Sequence, residues 1–129
     1  MDRTPSVFDQ VPADQHVIQG KYFFVIQDRY PVSLGHCLIV SRETHLDFFD
    51  LNELERDELL DLVHQTKEWI EFYFFPDGFN IGMNCGRAAG QTVMHFHCHV
   101  IPRYNGDMEI PDGGIRHCVA GKGNYKTED

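Results

Sequence analysis

Seven residues constrain this chain more than any others: His95-Phe96-His97-Cys98-His99-Val100-Ile101. Polar and apolar residues alternate through them without a break, and a period of two marks a β-strand with two unlike faces. All three histidines then lie on one face, with Phe96, Cys98 and Val100 on the other. Alternate residues on a strand face stand about 7 Å apart, close enough to serve one ligand. The apolar face needs a cover, and one helix offers it. Asn52 followed by Glu55 is a capping-box start, and Leu59, Leu62, Val63, Thr66, Ile70 and Tyr73 recur at spacings of three and four. Glu53, Glu55, Asp57 and Glu58 crowd its first turns, where the helix dipole favours negative charge. Pro76-Asp77-Gly78 ends it.

The other elements are strands. Tyr22 to Gln27 and His36 to Val40 form an antiparallel pair across a turn, Asp28 to Gly35, that contains Pro31. Phe79 to Asn84 is a third strand, and Cys85 to Gly90 is a tight small-residue loop. Thr92 to Ile101, closed by Pro102, is a long fourth strand. The first fifteen residues, with Pro5 and Pro12, read as an irregular lead-in, and 103–129 as a glycine-rich tail. The expected fold is therefore α+β: one domain over 1–129, a mainly antiparallel sheet with one long helix packed on it.

Composition narrows the function. A 129-residue chain fits a single core. No apolar run approaches the roughly 20 residues of a bilayer span. Met1-Asp2-Arg3-Thr4-Pro5 lacks a signal-peptide core, so a cytoplasmic location is expected. Cys37, Cys85, Cys98 and Cys118 include no C-x-x-C pair and read as thiols. The net charge of −9 argues against a bulk nucleic-acid surface, though a local pocket can still bind a small anion.

Three imidazoles in a row leave three readings: a solvated sheet face, a zinc site with three histidine ligands and a water, or nucleophilic catalysis at phosphorus through a phosphoramidate. The surroundings favour phosphorus. Gly90-Gln91-Thr92 places an amide and a hydroxyl at the mouth of the strand, and Asn84 sits across a short return. Carboxylates that would orient metal-bound histidines are sparse nearby.

Gln91-Thr92-Val93-Met94-His95-Phe96-His97-Cys98-His99-Val100-Ile101 strongly resembles the histidine triad (HIT) signature, His-Φ-His-Φ-His-Φ-Φ with Φ apolar. The resemblance runs over roughly residues 6–125, through Asp28, Gly35-His36, Asn80-Ile81-Gly82, Pro102-Arg103-Tyr104 and Gly113-Gly114-Ile115-Arg116. The residues after Pro102 look like the tail of a bacterial, diadenosine-polyphosphate-hydrolase-like branch. The resemblance implies a HIT-like fold, usually a homodimer, acting on a nucleotide phosphate bond through a covalent nucleotidyl-histidine, with dinucleoside polyphosphates or nucleoside phosphoramidates as substrates. His97 falls on the nucleophile, and His95 and His99 on the residues that orient it and contact the scissile phosphate. Thr92 matches a hydroxyl near the leaving group, and Gln91 and Asn84 match amides on phosphate oxygens. Asp28 matches a ribose ligand, His36 a supporting histidine, and Phe8 and Ile26 apolar walls around the base. A nucleotide-binding module with little turnover and a zinc hydrolase are the alternatives. Related bacterial sequences hold a structural zinc with Cys-Pro-Phe-Cys and two histidines. Here Ser6-Val7-Phe8-Asp9 replaces the thiolates while His45 and His95 remain, so no structural zinc is expected. No bound cofactor is required, and Mg²⁺ would arrive only with a polyphosphate.

Overall fold

The computed structural model describes residues 6–124; Met1–Pro5 of the lead-in and the chain from Tyr125 lie outside the described residues. Its elements are β1 (His16–Gln19), β2 (Phe23–Gln27), β3 (Cys37–Ser41), α1 (Glu53–Phe74), β4 (Gly78–Gly82) and β5 (His97–Arg103). The strands form one antiparallel sheet in the order β1-β2-β3-β5-β4. The fold is α+β, as expected. No helix among the described residues is long and apolar enough to cross a membrane.

Register decides what each face carries. Leu38 pairs with His99 and Val40 with His97, while Cys37 pairs with Val100 and Ile39 with Cys98. The second set joins Phe23, Val25 and Phe96 in a core closed by Leu59, Leu62 and Ile70 of α1. Each of those helix residues is almost wholly buried, a contribution of about 2 kcal/mol apiece by area removed from water. The opposite face carries Phe24, Ile26, Leu38 and Val40, packed under Phe8 from the lead-in. Both faces of the central strands are therefore covered, and β3 is buried throughout.

The capping box forms as read: Asn52 Oδ1 accepts from the Glu55 N–H at 2.9 Å, and Glu55 Oε1 from the Asn52 N–H at 2.8 Å. The helix ends on Phe75, which takes a left-handed φ of 52° just before Pro76, a proline that disfavours helical backbone in the residue preceding it. Tyr73, expected on the buried stripe, is exposed, its ring against Trp69 and Phe72.

Two strand readings need correction. The lead-in is not wholly irregular, because two 3-10 turns, Val7–Gln10 and Ala13–Gln15, run into the four-residue edge strand β1. The fourth strand does not begin at Thr92. Between Gln91 and Phe96 the chain is held by loop contacts rather than a ladder, with the Phe96 N–H on the His45 carbonyl at 2.7 Å. At the other end β5 continues through Pro102, which pairs with Phe79. The Pro102 carbonyl accepts from Ser33 Oγ on the β3 side. A strand residue's N–H and C=O point the same way, so the missing N–H falls where the β3 ladder has already ended.

Candidate active site

The return from β4 to β5 brings the histidines to their place. It turns at Gly86 and Gly90, both at φ 95°, a region side chains rarely adopt. Gln91 is buried and ties this return down. Its Nε2 donates to the carbonyls of Leu46 (2.6 Å) and Val93 (3.2 Å), and its Oε1 accepts from the Gly86 N–H at 2.8 Å. The amide expected on phosphate oxygens is thus engaged with backbone, and Gln91 shapes the loop instead. Asn84 and Thr92 are exposed on either side of it.

His97 and His99 open β5 on the face away from α1, with ring centroids 5.3 Å apart. His95 stands two residues before the strand and is fully buried. Its Nε2 lies 2.6 Å from the Ser41 carbonyl, and a carbonyl can only accept, so Nε2 carries the proton. Nδ1 is then the acceptor, and Ser6 Oγ donates to it at 2.5 Å. Both ring nitrogens are engaged in the interior, so the ring of His95 does not reach a ligand. This corrects the expectation that it contacts the scissile phosphate. His95 acts through its backbone: its carbonyl accepts from His97 Nδ1–H at 2.8 Å. In the neutral ring the lone pair of His97 then falls on Nε2.

A second relay sets His99. The Val32 N–H donates to His36 Nδ1 at 3.1 Å, which puts the His36 proton on Nε2. That nitrogen lies 2.9 Å from His99 Nδ1 and 3.4 Å from Asp28 Oδ2. His99 Nδ1 accepts, so its own proton sits on Nε2. Burial keeps these rings neutral. It pushes His99 down to about 4, with His97 and His36 adding to the effect and Asp28 opposing it, and it lowers His36 against the same carboxylate. The result is one imidazole presenting a lone pair beside another presenting an N–H. That is the pairing a nucleophile and an oxyanion donor need.

A family model for the HIT domain matches residues 10–106. The chain belongs to the HIT family. Among its relatives, an AP-4-A phosphorylase of Mycobacterium tuberculosis is 35% identical over 73% of this chain and 49% of its own length. A bis(5'-adenosyl)-triphosphatase of Saccharomyces cerevisiae is 33% identical over 70% of this chain and 45% of its own. The chain thus spans about half the length of these curated relatives. A solved structure of a hypothetical histidine triad nucleotide-binding protein from Sulfolobus tokodaii superposes with a TM-score of 0.68 at 34% identity, covering 71% of this chain and 62% of the other.

The remaining HIT positions fall as follows. Asp28 Oδ1 accepts from the Tyr30 N–H at 2.8 Å, so the residue does cap its turn, while Oδ2 stays beside His36. Phe8 and Ile26 share one apolar cluster, and the Phe8 ring lies 4.9 Å from that of His97 and 5.5 Å from that of His95. The residues at the expected zinc position are held by protein partners. Ser6 Oγ and His95 Nδ1 bond to each other, Asp9 Oδ2 accepts from the Ser6 N–H at 3.0 Å, and His45 Nε2 turns to Glu55 Oε2 at 2.7 Å. Cys37 and Cys98 are buried, and burial raises both thiols to about 12. Sequence reasoning did not find the carbonyl of Ser41, the amide of Val32 or the hydroxyl of Ser6 as site elements. The first two are backbone groups without a side-chain signature. Ser6 could have been read as a cap from the Ser-x-x-Asp spacing.

Proposed function

We propose that the chain hydrolyses a nucleotide phosphate bond through a covalent nucleotidyl-His97. The observation that carries this reading is the paired relay, which leaves a lone pair on His97 Nε2 and a proton on His99 Nε2. His97 Nε2 attacks the α-phosphorus; the N–P bond forms as the bond to the leaving phosphate oxygen breaks, and the His99 N–H stabilises the charge on the phosphoryl oxygens. Water then attacks the same phosphorus and gives up a proton to the medium, the N–P bond breaks, and the neutral imidazole is returned. Dinucleoside polyphosphates are the favoured substrate class, in keeping with the names of the two enzymatic relatives, with nucleoside phosphoramidates second.

The Asp28 carboxylate suits vicinal ribose hydroxyls, which need an acceptor. Asn84 and Thr92 are the exposed neutral donors for the phosphate chain. A zinc ion held by His95, His97 and His99 together is disfavoured by geometry, because neither nitrogen of His95 is available to a ligand. The chemistry needs no resident cofactor, and Mg²⁺ enters with the substrate. We take the working unit as a cytoplasmic homodimer, since β4 leaves an open sheet edge with Ile81 exposed.

The test is an initial-rate panel of diadenosine polyphosphates against adenosine phosphoramidate, for wild type and His97→Ala. Wild type should turn over at least one class, and His97→Ala should fall below detection while still binding AMP. Turnover by His97→Ala at the parent rate would overturn the proposal.

A further inference from the structure

The Ser6 hydroxyl does two things at once. It donates to Nδ1 of the fully buried His95 at 2.5 Å and accepts from the Phe8 N–H at 3.1 Å. One oxygen therefore joins the base of the triad to the 3-10 turn that carries Phe8. Asp9 closes the same turn by accepting from the Ser6 N–H at 3.0 Å. Phe8 is the point of the arrangement: its ring covers the apolar cluster on the triad face and lies against His97.

We propose that Ser6 is a positioning residue for nucleotide binding: its hydroxyl pins the Val7–Gln10 turn to His95 and so holds Phe8 as a wall beside His97. The inference rests on the functional reading above. It assigns to one hydrogen-bonded oxygen the anchoring of the Val7–Gln10 turn. The effect falls on binding rather than on chemistry. The His95 proton is fixed by the Ser41 carbonyl, and His97 is oriented by the His95 carbonyl, and neither contact passes through Ser6.

The test compares wild type, Ser6→Ala and Ser6→Thr in the full chain. Three quantities are read: kcat and KM for a diadenosine polyphosphate, AMP affinity, and the ¹⁵N resonance of His95 Nδ1. Ser6→Ala should raise KM and weaken AMP binding roughly fivefold to tenfold, the scale of one hydrogen bond. Its kcat should change little, and the Nδ1 resonance should move toward that of an unbonded acceptor. Ser6→Thr, which keeps the hydroxyl, should restore both. Three results overturn the proposal: a Ser6→Ala that matches wild type in KM, one that loses kcat instead, or a Ser6→Thr that fails to rescue. A wild type that neither cleaves nor binds nucleotide overturns the functional reading, and the proposal with it. A wild type that does both beside an unaffected Ser6→Ala overturns the proposal alone.

Discussion

His99 turns one ring nitrogen to the protein and the other to the site, so its two roles can be separated by substitution. In His99→Asn the side-chain oxygen stands where Nδ1 stood and still accepts from His36, but nothing replaces the Nε2–H. Thermal stability should stay close to that of wild type and AMP should still bind. The kcat should fall by about 10²–10⁴, the range for a positioned proton donor. A kcat near wild type in steady-state assays would remove His99 from the chemistry. The alternation that sets His97 and His99 on one strand face was legible in the sequence, because a strict period of two leaves little freedom in reading it; it misplaced His95, which lies before the strand with its ring in the interior. The proton on each ring was not legible. It depends on the Ser41 carbonyl and the Val32 amide, which the fold brings in from distant parts of the chain. Gln91 misled for a related reason. An amide beside a histidine strand suits phosphate, and only the loop geometry shows its three polar contacts closing on backbone.

At the scale of elements, α1 was the most readable feature. Its cap and its stripe each follow from local rules, and both are found apart from Tyr73, which is exposed. β1 left no trace because it is short, lies at the edge and lacks alternation. The start of β5 was misplaced because Thr92 to Phe96 has strand-like composition but meets no ladder partner. Within α1 one residue is out of keeping with its surroundings. Thr66 is fully buried against the core, and its Oγ1 has no hydrogen-bond partner. Burying an unmatched hydroxyl costs about 1–3 kcal/mol. Thr66→Val keeps the branched shape and removes the polar atom, so it should raise stability by about 1 kcal/mol in urea unfolding, with an unchanged m-value. A destabilised Thr66→Val would show that the hydroxyl has a partner in solution.

For the whole molecule, the buried imidazoles link stability to pH. His99 sits at about 4 in the folded chain against an ordinary value of 6.5, and His36 is lowered as well. A lowered histidine binds its proton more weakly when folded, so acid favours the unfolded chain. This contribution is complete above about pH 6.5 and drains away as the pH falls toward 4. Melting temperature should therefore drop across that window in wild type and drop less in His99→Asn; equal slopes would contradict the relay. The helix-covered face and the place of His97 and His99 on the opposite face emerged from patterning, since one buried face sets strand register; the order of the strands in the sheet did not. The segment folded over the second face did not, because no local pattern encodes where Phe8 lands. The central claim is that Nε2 of His97 forms a bond to phosphorus, and trapping that bond tests it most directly. Wild-type protein mixed with a diadenosine polyphosphate, quenched within milliseconds in alkaline denaturant and digested for mass spectrometry, should carry a nucleotidyl group on His97. His97→Ala should carry none. Turnover without any adduct, or an adduct on another residue, would contradict the account.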